Sequence, residues 1–329
     1  MLEGRRIDAA GAGPWRTAAR RLGRDRTALA FGALFLLLVT ACLAAPLWAS
    51  EVAHTTPEAN HLTDKVEIDG RPTDVVDELG KPIGPTWGSR FFLGADSNGR
   101  DIMVRLLYGG RNSLLIGIVA SLGTIALGLL VGLLAGYHRG RVDAFVNWLM
   151  DVIWAFPVIL LGVALGTALA VGGLELGPLT VEGDSLAIPI LIIAVVYVPY
   201  LARPVRGRVL ALREREFVEA ARAQGMGSAR IVFSEIMPNL LNTVAVMLPL
   251  LVVNAILLEA ALSFLGAGVQ PPNASWGTMI AEGVERIISA PHLAIVPGAM
   301  LVATVLSLAV FGEGVRRVLD PKAEVRIEH

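Results

Sequence analysis

The sequence is poor in charge and in cysteine. Only 17% of its 329 residues are charged, whereas soluble domains average roughly 25%. This shortage argues against an ordinary soluble enzyme. The hydrophobic fraction of 54% also excludes a disordered chain. A single cysteine, Cys42, excludes an intrachain disulfide. The net charge of −1 provides no basic field that would attract nucleic acid.

The few charges are unevenly distributed along the chain. Six segments contain none or one, and each is about as long as the ~20 apolar residues that cross a bilayer. They are apolar on all sides, whereas helices around a soluble core keep a polar face. The first segment is too long for a signal-peptide core, and we interpret it as a retained anchor. The sequence therefore predicts an all-α polytopic membrane protein with six transmembrane helices, at residues 27–49, 113–136, 144–172, 186–203, 240–263 and 292–312.

The basic residues predict the orientation of these spans. Twenty of the 28 lysines and arginines lie in the two terminal tails, the 137–143 turn and the 203–239 loop. The 50–112 loop holds seven more, but it also carries ten acidic residues. Because charges in long loops have little influence on orientation, these seven weigh little. The positive-inside rule therefore places both termini in the cytoplasm. The predicted protein is a multi-pass component of the cytoplasmic membrane.

The predicted organisation has five parts. An arginine-rich tail attracted to anionic lipid (1–26) precedes the first span, and an extracytoplasmic loop (50–112) follows it. Within this loop, residues 51–92 are acidic and turn-rich, and residues 99–111 show the spacing of a short interfacial helix. The remaining parts are a core (113–313) and a second cytoplasmic tail (314–329).

Two local patterns within the predicted spans concern packing. Pro157 is expected to kink the third span. The second span has a small residue at every fourth position, which allows close approach of another helix. These residues are Ala120, Thr124, Gly128, Gly132 and Gly136.

The loop after the fourth span contains helical patterns of its own. Good helix formers run through residues 213–224, and Gly225 can end that helix in a left-handed conformation. A second short helix is predicted over 228–235, and Pro238 suits the first turn of the next span. This element suits docking in a groove of another protein; a solvated surface helix is the alternative. One face of the first helix carries Phe217, Ala220, Ala221 and Gln224.

The chain resembles the permease subunits of ABC importers in four ordered strings. The first, similar to their EAA loop, comprises Glu219-Ala220-Ala221, then Gly225, then Ile236-Met237-Pro238, with Met237 where leucine is usual. The other three are similar to oligopeptide, dipeptide and nickel permeases of the C-subunit type: LGADSNGRDIMVRLLYGGRNSL (93–114), DVIWAFP (151–157) and LEAALSFLGAGVQPPNASWGTMI (258–280). The motif before the second span includes Gly94, Asp96, Gly99, Arg100, Asp101, Arg105 and Arg111.

This resemblance implies a type I ABC importer permease (MetI-like) fold, with an extra N-terminal helix and a cytoplasmic coupling helix. Residues 204–239, called here the coupling segment, would dock on an ATPase subunit. The resemblance implies a homologous second permease, two cytoplasmic ATPase subunits and an extracytoplasmic substrate-binding protein as partners. The implied coupling residues are Glu219, Ala220, Ala221, Gly225, Ile236 and Pro238.

The same resemblance implies a transport subunit and not an enzyme. The only Gly-Lys pair of the sequence, Gly80-Lys81, is followed by Pro82 and is not part of a P-loop motif. ATP and Mg²⁺ are therefore expected on the partner subunits, and no cofactor on this chain. Substrate, a peptide, would cross by alternating access between the two permeases.

Two acidic residues are predicted inside the spans, where charge is costly and faces protein or water. Asp151 and Glu259 are candidates to line a cavity and contact a cationic group such as a peptide amino terminus. The alternative is a structural hydrogen bond between helices or simple placement at the membrane interface. His54 and His61 lack a third firm metal ligand, so no metal site is expected.

Three alternatives differ in function. A nickel or other small-solute importer shares the scaffold. An ion-coupled secondary transporter would place charges at midmembrane on broken helices, and it would leave the coupling segment unexplained. An intramembrane hydrolase would need a nucleophile and base, or a metal, at depth, and the sequence has no such pair.

Overall fold

The computed structural model describes residues 20–319 apart from residue 69. Most of the predicted 1–26 and 314–329 tails therefore lies outside the described residues. The described part is mainly helical. Its principal helices are α1 (Arg26–Leu43), α2 (Ile102–His138), α3 (Gly140–Trp154), α4 (Val158–Gly172), α5 (Ala187–Val196), α6 (Val198–Leu212), α7 (Glu216–Ala223), α8 (Met237–Phe264), α9 (Trp276–Val284) and α10 (His292–Leu319). Shorter helical pieces are Ala45–Leu47 and Ser228–Arg230, and two π-helical turns are Trp48–Ala53 and Ile231–Ile236.

The spans are helices long and apolar enough to cross a membrane. In the described residues, five single or nearly continuous helices meet this condition: Arg26–Leu43, Ile102–His138, Ala187–Leu212, Ser228–Phe264 and His292–Leu319. A sixth span results if α3 and α4 are counted as one, and these two helices meet at an angle of 84°. The kink predicted at Pro157 is therefore confirmed as a complete break, with Pro157 at the start of α4.

The ladder of small residues in α2 is confirmed as a packing seam. α2 packs along α6, and three glycines of α2 lie under three side chains of α6. A Cβ atom at Gly128 would lie 2.9 Å from Leu201, and those at Gly132 and Gly136 would lie 2.7 Å from side-chain atoms of Val205 and Val209. The absence of side chains thus lets the two helices approach closely.

The short helix predicted over 99–111 is helical from Ile102 onward and continues without a break into the second span as the first part of α2. Arg105, whose charge suggested a membrane interface, is instead buried in ion pairs with Asp96 and Glu282. Sequence spacing alone could not show that a distant acid neutralises this arginine.

The helix of the fourth span continues as α6 to Leu212, so the first residues of the coupling segment are helical. The predicted short helix at 228–235 is not separate, since residues 228–264 form one nearly continuous helical run.

A folded unit, called here the α1–α2 subdomain (residues 54–101), links the first two spans. Strands β1 (Lys65–Ile68) and β2 (Arg71–Asp74) pair antiparallel with Lys65 opposite Asp74. A small core of Val75, Ile83, Phe91 and Ala95 lies beside them. A second hairpin, β3 (Leu174–Leu176) and β4 (Leu179–Val181), lies between α4 and α5. Neither hairpin was predicted from the sequence.

α2 connects the α1–α2 subdomain to the coupling segment. Its first residue follows the α1–α2 subdomain, and its last turn contacts the coupling segment through Arg213, which donates a 2.6 Å hydrogen bond to the Tyr137 carbonyl. The subdomain and the coupling segment therefore lie at opposite ends of the helical bundle.

Candidate coupling surface

α7 is a two-turn helix closed by a Schellman motif. The Met226 amide donates to the Ala221 carbonyl (3.1 Å), and the Gly225 amide donates to the Arg222 carbonyl (2.9 Å). Gly225 has φ of +79°, a conformation that a side chain would strain. The predicted left-handed ending at Gly225 is confirmed. The chain then turns into the helical run toward α8.

One face of α7 is buried within the chain. Val218 and Ala221 belong to the same apolar cluster as Ile231 and Ile236 of the following π turn and Val209 of α6. Val218 and Ile236 have no exposed surface. α7 is therefore packed against the end of α6 and the start of the helical run that leads into α8, and we expect the three to move together.

The opposite face of α7 is open. Phe217, Ala220 and Gln224, at helical spacing, are exposed, and so is Glu219. Among residues 20–319 apart from 69, Glu219 has no ion-pair partner. Of the four residues predicted to share one face, Ala221 is not exposed. It is buried against the chain's own core, because it follows Val218 at a spacing of three. This leaves a narrow exposed stripe with the small residue Ala220 at its centre.

Pro238 lies where the π turn gives way to α8. Its ring nitrogen has no hydrogen to donate to the helical ladder, and the i→i+5 turns of Ile231–Ile236 end two residues before it. The Asn239 side chain donates to the Glu235 carbonyl at 2.7 Å. Proline is tolerated here because it stands in the first turn of the α-helical part.

Arginines of the coupling segment hold it to the rest of the bundle. Arg213 caps the end of α2 through the Tyr137 carbonyl and lies 5.9 Å from the Tyr137 ring centroid. Arg139, just after α2, pairs with Glu214. Arg206 makes a two-pronged contact with Asp143 of α3, at 2.5 and 2.7 Å. These contacts connect α2, α3 and α6 at the coupling end.

Asp151 also pairs with an arginine of α6. Its carboxylate accepts a 2.8 Å hydrogen bond from Arg203 of α6, and the Arg203 guanidinium lies 4.8 Å from the Trp154 ring centroid. The Asp151 side chain is 71% exposed. The geometry is that of a bridge between α3 and α6 near the break at Pro157.

Glu259 is fully buried in α8. The Ser263 hydroxyl donates to its Oε1 at 2.7 Å and accepts a 3.0 Å hydrogen bond from the Val269 amide. The hydroxyl groups of Ser113 on α2 and Ser275 at the start of α9 also face this carboxyl group. Its Oε2 atom has no hydrogen-bond partner of ordinary geometry among the described residues. Glu259 is therefore buried where α8 faces α2 and α9, and its hydrogen bond is to a residue of its own helix.

Three charged residues of the motif before the second span, Asp96, Arg100 and Arg105, form one ion network with Glu282. Asp96 pairs with Arg100 at 2.7 Å and with Arg105. Glu282 of α9 accepts from Arg105 at 2.6 and 3.1 Å and from Arg100 at 2.9 Å. The Arg105 side chain is only 3% exposed. The network joins the α1–α2 subdomain, α2 and α9.

The remaining motif residues shape the backbone around this network. Asp101 caps α2 by accepting from the Val104 amide (3.1 Å), and it also accepts from the Phe91 amide (2.7 Å); burial raises the pKa of its carboxyl group. Gly94 and Gly99 have φ of +90° and +72°. A Cβ atom at either would lie within 3 Å of backbone atoms. Arg111 is exposed and stands outside the network.

Sequence reasoning missed several partners in these contacts. Glu282 is 177 residues from Arg105 in the chain, and nothing local connects them. Asp143 of α3 pairs with Arg206 of α6, 63 residues later in the chain. Neither acid stands in a charge-poor stretch, because Asp143 follows Arg139 and Arg141 and Glu282 precedes Glu285 and Arg286. The local sequence therefore carried no signal of either distant partner.

The two histidines considered for a metal have separate surroundings. His61 lies 2.7 Å from the Thr55 hydroxyl and 2.9 Å from the Asp64 carboxylate. The hydrogen bond from His61 is the main reason why the pKa of Asp64 is lowered. Within the described ranges, no group of three His, Cys, Asp or Glu side chains could hold a metal ion.

Comparison with protein families gives two matches. Residues 128–325 match the model of the binding-protein-dependent transport system inner membrane component. Residues 13–64 match the N-terminal TM domain of oligopeptide transport permease C.

Individual relatives match over nearly the whole chain. The dipeptide transport system permease protein DppC of Alkalihalophilus pseudofirmus is 35% identical over 309 residues, which cover 94% of this chain and 90% of the relative. The glutathione transport system permease protein GsiD of Pectobacterium atrosepticum is 35% identical, over 94% of this chain and 91% of the relative. Among solved structures, the MetNI methionine ABC transporter in an inward-facing conformation contains a chain that is 21% identical. The match covers 67% of this chain and 98% of that one, with a TM-score of 0.53, and shows a shared fold.

Proposed function

The chain belongs to the family of binding-protein-dependent transport system inner membrane components, and on this premise we propose that it is the C-type permease subunit of an ATP-driven importer of peptides. ATP hydrolysis is assigned to partner subunits. The observation that carries the proposal is the exposed stripe of α7, held rigidly at one end of the spans with Ala220 at its centre.

The geometry of α7 explains how work would enter the membrane helices. A partner seated on Phe217, Ala220 and Gln224 pushes a helix whose other face is packed into α6 and the start of α8. Because packed apolar cores shift as units, displacement of α7 moves both spans. Arg213 carries the same displacement to the end of α2. Glu219, which is exposed and has no ion-pair partner in the part of the chain that the structure describes, is available to accept hydrogen bonds from the partner.

This proposal fixes the orientation of the chain. The coupling end faces the cytoplasm, where the two ATPase subunits bind. The α1–α2 subdomain and α9 then face the other side and the substrate-binding protein. Substrate crosses between this chain and a homologous second permease, as one set of helices rocks against the other.

The substrate class follows from the relatives. Two of them, at 35% identity, are named for dipeptide and glutathione transport, and another, at 30%, for oligopeptide transport. The test is uptake into proteoliposomes that contain this chain with its second permease, ATPases and binding protein. We expect labelled di- to oligopeptides to accumulate only with ATP. Accumulation of nickel without peptide would favour the alternative importer, and uptake that persists without the ATPases would contradict the proposal.

Gly225 offers a test through backbone conformation alone. A Cβ atom there meets no other atom within 4 Å, so a side chain is disfavoured only by the left-handed φ, at about 1–2 kcal/mol. We expect Gly225→Val to reduce uptake severalfold while the complex still assembles and hydrolyses ATP. Gly225→Asn is the matched control, because asparagine tolerates this conformation, and it should retain most activity. Equal uptake by wild type and both variants, measured in proteoliposomes, would remove Gly225 from the coupling role.

Variants of Glu259 distinguish a structural role of this residue from a role in substrate binding. We expect Glu259→Gln to leave the ratio of free-amine to N-acetylated peptide uptake unchanged, because glutamine still accepts from Ser263. Glu259→Ala should instead lower thermal stability by about 1–3 kcal/mol, since Ser263 loses a buried partner. A selective loss of free-amine peptides in Glu259→Gln would show that the carboxylate contacts the substrate amino terminus.

A further inference from the structure

Three aromatic rings form a continuous chain from the end of the first span to the surface of the α1–α2 subdomain. The rings of Trp48 and Phe92 meet edge to face at 5.9 Å, and those of Phe92 and Trp87 at 5.3 Å. Trp87 is 70% exposed. We propose that Trp87 is a membrane-interface anchor, whose indole inserts among the lipid headgroups of the leaflet next to the α1–α2 subdomain.

The backbone holds Trp87 in an exposed position against its own preference. Trp87 has φ of +56°, which a bulky residue rarely adopts. The turn is fixed by its neighbours: the Thr86 hydroxyl lies 2.9 Å from the carbonyls of both Arg90 and Phe91 and accepts from the Gly88 amide at 3.1 Å. Such a conformation persists only where the surroundings impose it, and it is a reason to look for function.

The aromatic chain continues a surface that faces lipid. Exposed leucines run along α1 and its extension, and the last of them, Leu47, is 66% exposed and directly precedes Trp48. An apolar stripe of this kind on a transmembrane helix contacts acyl chains. The aromatic chain therefore begins where the stripe ends, which is the level of the headgroups. Tryptophan is enriched at that level, because its ring is apolar and its N–H is polar.

A lipid fits this position better than a protein partner. The residues beside Trp87 in the turn, Gly88 and Ser89, are exposed and carry no apolar side chain. A protein interface buries a contiguous patch, whereas a single ring in a polar turn is sufficient for a headgroup layer. The anchor would hold the subdomain against the bilayer. This role does not depend on which substrate the complex transports.

The test uses a fluorophore beside Trp87. Cys42 is buried and is the only cysteine of the sequence, so Ser89→Cys gives this chain a single reactive thiol and leaves Trp87 in place. The variant chain is labelled before it is assembled with its partners. The labelled complex is placed in nanodiscs with lipids that carry a nitroxide at the headgroup. Leu79→Cys, at a position 90% exposed in the same subdomain but outside the aromatic chain, is the matched control.

We expect quenching at position 89 to exceed that at position 79 by about twofold or more, since interfacial anchors lie at headgroup depth. Adding Trp87→Ser should reduce it to the level of position 79, and Trp87→Tyr should restore it. Quenching at position 89 no greater than at 79, or unchanged by Trp87→Ser, would overturn the proposal. So would a signal that responds to the substrate-binding protein and not to the nitroxide lipid.

Discussion

Ala220→Trp is expected to reduce ATP-driven peptide uptake by about 30-fold or more, which corresponds to ~2 kcal/mol of lost docking energy at a central interface residue. Ala220 is the small residue at the centre of the exposed stripe of α7, and its side chain makes no part of the chain's own core. An indole at this position would hold a partner subunit away from the stripe. The subunit itself should fold, because the added ring projects into solvent.

The neighbouring residue provides the sharpest control. Ala221 is 5% exposed and lies in the cluster with Val218, so Ala221→Trp should overpack that core at a cost of about 1–3 kcal/mol. We expect Ala221→Trp to lower the amount and thermal stability of the subunit, and Ala220→Trp to lower uptake at normal abundance. Ala220→Ser should behave as wild type. Full uptake by Ala220→Trp would show that α7 docks through another surface or not at all.

Arg105→Ala is expected to have the largest effect on stability, about 3–5 kcal/mol, because it removes one partner of a buried ion network. The Asp96 side chain, 8% exposed, would lose Arg105 and keep only Arg100 as a basic partner. Glu282 would lose its two-pronged contact, and with it the ion pair between α2 and α9. We expect a marked fall in the melting temperature of the purified complex and little subunit in membranes.

Arg111 is the matched control for this network. It lies in the same motif and the same helix, but it is exposed and outside the ion pairs. Arg111→Ala should change stability by no more than about 0.5 kcal/mol, as is usual for surface substitutions. Similar melting temperatures for the two variants would show that the buried pairs contribute little.

The sequence predicted the spans because each rests on a local property, the absence of charge over a bilayer's width. It also predicted the left-handed turn at Gly225, since glycine after a run of helix formers is a local signal. The ladder of glycines predicted close packing but not its partner. That α6 fills the ladder depends on residues about 70 positions away.

The parts that could not be predicted depend on contacts between distant residues. The inward turn of Ala221 follows from the position of Val218 against Ile231, which only the folded cluster defines. The helix leading into the second span was predicted, but the burial of Arg105 was not, because its partner Glu282 is distant in the chain. The conformation of Trp87, at positive φ in a polar turn, has no signal in the sequence.

Site-specific photo-crosslinking tests the central claim, that α7 receives work from an ATPase subunit, most directly. Phe217 is a partly exposed aromatic residue on the stripe, so a photoreactive phenylalanine derivative replaces it with little change in shape. Leu79, at the opposite end of the bundle, carries the same group as a control. After irradiation of the assembled complex, we expect an adduct with an ATPase subunit from position 217 and none from position 79. The account is contradicted if position 217 gives no ATPase adduct, or if both positions give it equally.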